Sequence, residues 1–122
     1  DPRNPYAYAH TSTALMRLVN RCDEIAAVSP EGKHMQINIV RPDGDYWPLP
    51  WYLRRFDRVG YWKQCPDNAD APMIITDPKQ QEELDRHLKD KYQIEYHALR
   101  PGILLRAYIR QDLWDAFIKT RS

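Results

Sequence analysis

Glycine is scarce in this chain: four residues in 122, against ten prolines. There is no G-x-G-x-x-G stretch and no P-loop, so the usual backbone cradles for phosphate are excluded. Cysteine is scarcer still. Cys22 and Cys65 are too few for a disulfide framework or an all-cysteine metal site. No apolar run approaches the ~20 residues needed to cross a bilayer. An excess of one charge is also missing. Eighteen Lys and Arg against seventeen Asp and Glu leave a formal net charge of +1, which supplies no global field to gather nucleic acid or anionic lipid. Any electrostatic function is therefore local, and no nucleic-acid partner is expected. His10, His34, His87 and His97 show no metal-ligand spacing, and no serine nucleophile elbow occurs. No catalytic residue, metal ligand or cofactor is assigned to this stretch of chain.

What is present fits one globular domain. Apolar residues make up 43% and charged residues 29%, outside the range of disordered chains. Beginning at Asp1 rather than Met, the chain reads as a piece of something longer. Residues 1–9, with two prolines and no period, read as an extended arm, and residues 10–122 as a single α/β domain.

Leu15, Leu18, Val19, Cys22, Ile25 and Ala26 recur at the spacing of one helical face, with Thr11, Ser12 or Thr13 as caps and Ser29-Pro30-Glu31-Gly32 as the stop. On that face Cys22 reads as a small buried hydrophobe, with a Cys22–Cys65 disulfide as the alternative. Met35–Val40 alternates and is rich in β-branched residues, as a strand requires. A short helix is predicted from Pro48 to Phe56, because proline is tolerated in a first turn. Val59–Trp62 follows as a short strand and Lys63–Ala71 as a polar loop. Pro72–Thr76 is an apolar strand. Asp77-Pro78 then supplies the cap and first residue of a helix to about Lys91, with Leu84 and Leu88 facing inward. Tyr92–Leu99 and Ile103–Ile109 read as strands joined through Arg100-Pro101-Gly102, where Pro-Gly suits a type II turn. Asp112–Lys119 closes the chain as a helix.

Strands alternating with helices predict a three-layer, Rossmann-like α/β sandwich. Its sheet would hold about five mostly parallel strands, with a C-terminal β-hairpin at one edge and helices on both faces. In such sheets ligands bind beyond the carboxyl ends of the strands. Asp43 and Asp45 after the first strand, and Asp77 after the third, would meet there, although turn and cap roles account for each of them.

The richest segment is Asp45–Phe56, "DYWPLPWYLRRF", with five aromatic rings, two prolines and two arginines. Three readings are open for it: a helix whose Trp51, Leu53 and Phe56 pack on the sheet, a partner or membrane-interface contact, or a platform on which rings stack against a ligand. The candidate binding residues are Asp45, Trp47, Trp51, Tyr52, Arg54, Arg55, Tyr61 and Trp62.

Several phrases resemble the carboxy-terminal soluble part of a family of multispanning membrane proteins. They are Asn4-Pro5-Tyr6-Ala7-Tyr8-Ala9-His10-Thr11, the "DYWPLPWYLRRF" segment with "VGYW" at Val59–Trp62, Leu99-Arg100-Pro101-Gly102, and Asp112-Leu113-Trp114. That family is similar to glycosyltransferase family 39, the dolichyl-phosphate-mannose mannosyltransferase-like enzymes, and is associated with flippase activity. The resemblance implies a parent that uses a lipid-phosphate-linked sugar donor at the outer membrane face, its catalytic acid lying in a loop between transmembrane helices. None of that apparatus maps onto a residue here. The expectation is therefore a non-catalytic, extracytoplasmic accessory domain of a membrane-bound glycosyltransferase-like protein. Its partners would be the parent's transmembrane part and, with it, a glycan or polyprenyl-phosphate sugar and the membrane surface. An oxidising compartment would favour the Cys22–Cys65 bridge. The alternative is an independent carbohydrate- or glycolipid-binding module using Trp47, Trp51 and Tyr52 as stacking platforms. A small self-contained α/β enzyme is the third and least supported reading.

Overall fold

The structure, a computed structural model, describes residues 5–42, 44, 49–100 and 103–121, and the side chains of these except 5–12, 14, 99, 100 and 103. Helix α1 runs from Pro5 to Val28. It thus begins inside the stretch expected to be an extended arm. Pro5 costs little in a first turn, where its missing N–H has no partner to lose, and Ala7 and Ala9 are strong helix formers. Leu15, Leu18, Val19, Cys22, Ile25 and Ala26 are all buried, as their spacing requires. Gly32, at φ +58°, then turns the chain through a short 3-10 turn (Gly32–His34), a conformation that a β-carbon would strain.

Strand β1 (Ile37–Val40) leads to α2 (Leu49–Tyr52), a single helical turn, and then to β2 (Val59–Trp62) and β3 (Met73–Thr76). Asp77 caps the next 3-10 turn (Pro78–Gln80), its carboxylate accepting from the Lys79 N–H at 2.8 Å. Helix α3 (Gln81–His87) stops well short of Lys91 because Leu88 is extended. The N–H groups of Lys89 and Asp90 are claimed instead by the Asp70 carboxylate. Strands β4 (Tyr92–Arg100) and β5 (Ile103–Arg110) and helix α4 (Gln111–Lys119) complete the chain. The Pro101-Gly102 turn lies outside the described residues.

The sheet order is β2-β1-β3-β5-β4. Strand β1 pairs in parallel with β2 and with β3, whereas β3–β5 and β4–β5 are antiparallel. The expected mostly parallel, Rossmann-like sheet is therefore incorrect: this is an α/β fold with a mixed sheet. The cause is which arm of the hairpin docks on β3. Strand β5 is buried on both faces, from Leu105 through Ile109, while β4 carries Gln93, Glu95 and His97 and is only partly covered. Burial selects the more apolar arm for the interior, and that arm runs antiparallel to β3.

The two faces are covered unequally. On one, α1, α2 and α4 pack Leu18, Cys22, Ile25, Leu53, Phe56 and Phe117 over Ile37, Ile39, Ile75, Leu105 and Ala107. On the other, among the described residues, α3 and the 65–72 loop cover Ile74 and Tyr108 through Leu84, Ala69 and Ala71, with Leu88, Tyr92 and Ile94 packed beside them. Cys22 belongs to the first layer and Cys65 packs against the second. Both thiols are free, and the sheet between them rules out a bridge.

Candidate functional site

The aromatic and arginine-rich segment divides into two sides. Leu49, Leu53 and Phe56 are buried in the larger core, and Leu53 N–H closes the helical turn on Leu49 C=O at 2.9 Å. Tyr52 is half-buried against the same core. Trp51 faces outward, 54% exposed, with the Arg54 guanidinium 4.0 Å from its ring centroid. Arg54 also donates to the Trp51 carbonyl at 2.7 Å, so one face of the indole is already covered. Arg55 points elsewhere. It pairs with Asp23 of α1 at 2.8 Å, and Asp23 also holds Lys33. Of the two arginines, one lies on a tryptophan and the other braces α2 against α1. Asp45 and Trp47 lie outside the described residues.

The remaining candidates sit on β2, one of the sheet's two edge strands, where successive side chains take opposite faces. Tyr61 falls on the side of α1 and α2, whereas Trp62 falls on the thinly covered side. The ring of Trp62 leans back over Gly60, donating from Nε1 to Asn38 Oδ1 at 3.4 Å. A β-carbon on Gly60 would stand 2.7 Å from that Nε1, so glycine is what admits the ring. Asn38 is buried and fully engaged, also accepting from Gln36 at 2.9 Å and donating to the Ala69 carbonyl at 3.1 Å.

These groups wall a groove of about 380 Å³ lined by Trp62, Gln36, Asn38, Arg58, Asp70 and Arg110, among others. Its outer wall is tied down at Asp70, which accepts from Lys89 N–H at 2.9 Å, Asp90 N–H at 3.1 Å and Tyr92 Oη at 2.9 Å. Burial pushes the Asp70 carboxyl up, but these donors outweigh it and hold the group below the ordinary carboxylate range. An exposed ring beside amide, guanidinium and carboxylate groups can stack on a flat apolar surface while hydrogen-bonding its rim.

Among the described residues, two buried arginines lie at the carboxyl ends of the parallel strands, the edge where Asp43, Asp45 and Asp77 were expected to meet. Arg41, directly after β1, is 2% exposed. Arg106, paired with Thr76 at the end of β3, is 6% exposed. Asp77 at this edge is occupied by its cap, and Asp43 and Asp45 lie outside the described residues. Asn38 and Arg106 did leave a trace in the sequence, each being a polar residue inside an apolar strand ("MQINIV", "ILLRAYI"). Asp70, in a polar loop, left none. Among the described residues no cluster of His, Cys, Asp and Glu has the makings of a metal site, and no helix is long and apolar enough to cross a membrane. No protein-family model matches the chain, and neither the curated proteins nor the solved structures contain a match.

Proposed function

We propose that this chain is a non-catalytic accessory domain on the extracytoplasmic side of a membrane-bound, glycosyltransferase-like protein with a lipid-linked sugar donor. The observation that carries the reading is the two-sided α2 segment. Its inner side is core, while its outer side offers a half-exposed Trp51 under the Arg54 guanidinium. A ring with a snorkelling cation beside it suits the headgroup level of a membrane or the rim of a transmembrane bundle. The phrase resemblance supplies the kind of parent. The test uses the full-length protein in membranes, assayed for sugar transfer from a polyprenyl-phosphate donor. The double variant W51A/R54A leaves the domain folded and lowers transfer. Undiminished transfer, or a reading frame upstream of Asp1 without apolar spans, sinks the proposal.

A second reading is favoured by the Trp62 groove. An exposed ring flanked by Asn38, Gln36, Arg58 and Asp70 has the chemistry of a carbohydrate contact. It would move the stacking role from Trp51, one face of which Arg54 covers, to Trp62. Tryptophan fluorescence titrated with oligosaccharides and polyprenyl-phosphate sugars checks it. A response lost in W62A supports the reading; none at millimolar ligand refutes it.

A further inference from the structure

Arg106 lies on β5 in register with Thr76 of β3 on one side and Tyr96 of β4 on the other. Only 6% of it is exposed. Its guanidinium brings a charge and five N–H donors into the interior. Burying a charge is costly unless an acceptor or counter-charge meets it. Among the described residues no acceptor meets Arg106 Nε, which is buried without a hydrogen-bond partner, and no carboxylate forms an ion pair with the guanidinium. Asp85, on the helix that covers this face, is engaged by Tyr108 Oη at 3.1 Å. What holds the guanidinium is two rings, Tyr108 at 5.0 Å and Tyr96 at 5.5 Å from centroid to Cζ. Ring faces offset part of the charge but accept none of its in-plane N–H groups.

The place is one where an α/β sheet ordinarily takes a ligand. Beyond β1, α2 lies on the α1 side of the sheet, where Leu49 and, just after the helix, Leu53 join that core. After β3 the chain leaves toward the other side, because Leu84 of α3 packs on Ile74 and Tyr108. Adjacent parallel strands whose connections diverge open a crevice at their carboxyl ends, and Thr76 and Arg106 form the last rung of β3 there. The β4–β5 hairpin runs on past that rung. On the face shared with Arg106 it shows Tyr96 and Leu104, 55% and 47% exposed. A buried guanidinium, its Nε without an acceptor, thus lies behind an exposed apolar rim.

We propose that Arg106 is the anchor of a binding site for a small organic oxyanion. Its phosphate or carboxylate group pairs with the guanidinium fork, and its apolar body rests on Tyr96 and Leu104. Arginine presents two parallel N–H groups to either oxyanion. The site is separate from the Trp51 surface and from the Trp62 groove, so it stands or falls independently of the function proposed above.

The test is an NMR titration of the folded domain at constant pH and ionic strength, following the Arg106 Nε–Hε and Tyr96 ring resonances. Phenyl phosphate and benzoate are the probes, with benzyl alcohol as the uncharged control of the same shape. One or both anions shift these resonances saturably, and which one does so identifies the oxyanion; benzyl alcohol leaves them unmoved. R106M abolishes the Tyr96 response. R106K keeps the charge but loses the fork, weakening binding about tenfold or more, and it carries the test alone if R106M fails to fold. No saturable shift from either anion, an equal shift from benzyl alcohol, or wild-type affinity in R106K overturns the proposal.

Discussion

Replacing Asp70 tests whether the thin face of the sheet is held by one carboxylate. Asp70 accepts the N–H groups of Lys89 and Asp90, where α3 has ended and β4 has not begun, and the hydroxyl of Tyr92. The two backbone bonds resemble those made by a helix-capping side chain, whose loss costs about 1 kcal/mol each. Tyr92 Oη keeps the Ala71 carbonyl as a second partner at 3.1 Å, so its own loss is small. Asp70→Ala is therefore expected to cost about 2 kcal/mol, or about 8 °C in Tm for a domain of this size. Asp70→Asn retains one acceptor oxygen and is expected to lose about half of that. The pH dependence has a definite sign. The folded carboxyl lies below its ordinary value, while the unfolded one titrates near ~3.9. The contribution is thus complete above the unfolded value and disappears as pH falls through the folded one. Thermal unfolding followed by circular dichroism at a series of pH values between 7 and 2.5 measures it. The gap between wild type and Asp70→Asn is constant at neutral pH and closes in acid. A Tm unchanged by Asp70→Ala at pH 7, or a gap undiminished at the acid end, would refute the reasoning.

The two sides of the α2 segment should differ sharply in urea denaturation. Leu53→Ala, at a buried position, is expected to cost about 2–5 kcal/mol, whereas Trp51→Ala should cost no more than about 1 kcal/mol, mostly its contact with Arg54. Equal losses would mean that Trp51 is also a packing residue. The cysteines should remain independent thiols. Burial pushes the Cys22 thiol up to about 12, so it should react with a thiol reagent only after unfolding. Cys65, half-buried on the opposite layer, should react first, and reductant should leave the Tm unchanged. A reductant-sensitive Tm would contradict the placement of the two residues.

The elements themselves were largely legible. The apolar period at Leu15–Ala26 and the β-branched run in Met35–Val40 are local signals that produced a helix and a strand, whereas the Asp77-Pro78 cap opened a 3-10 turn ahead of α3 rather than the helix itself. Element ends were less so. Helix α3 has no stop signal at His87; it ends there because Asp70, eighteen residues before Leu88, draws in the next two N–H groups. The site residues divided in the same way. Of the expected packing trio, Leu53 and Phe56 are buried, whereas Trp51, expected beside them, is 54% exposed because a spacing of two residues puts it on the other side of the turn. That Arg55 would brace α1 through Asp23, or that Trp62 would fold over Gly60 onto Asn38, depends on partners 32 and 24 residues away.

By itself the sequence determined an α/β domain: which segments are helices and strands, and which side of each is apolar. These follow from backbone sterics and from periodicities of 3.6 and 2, both properties of neighbouring residues. Tertiary structure alone decided the sheet. Whether β4 or β5 docks on β3 depends on which arm gains more from burial against a surface already formed, and that choice turned an expected parallel sheet into a mixed one. The same choice carried Arg106 to the end of β3, between two tyrosines, where a charge inside an apolar strand became a buried cation at the carboxyl end of the sheet.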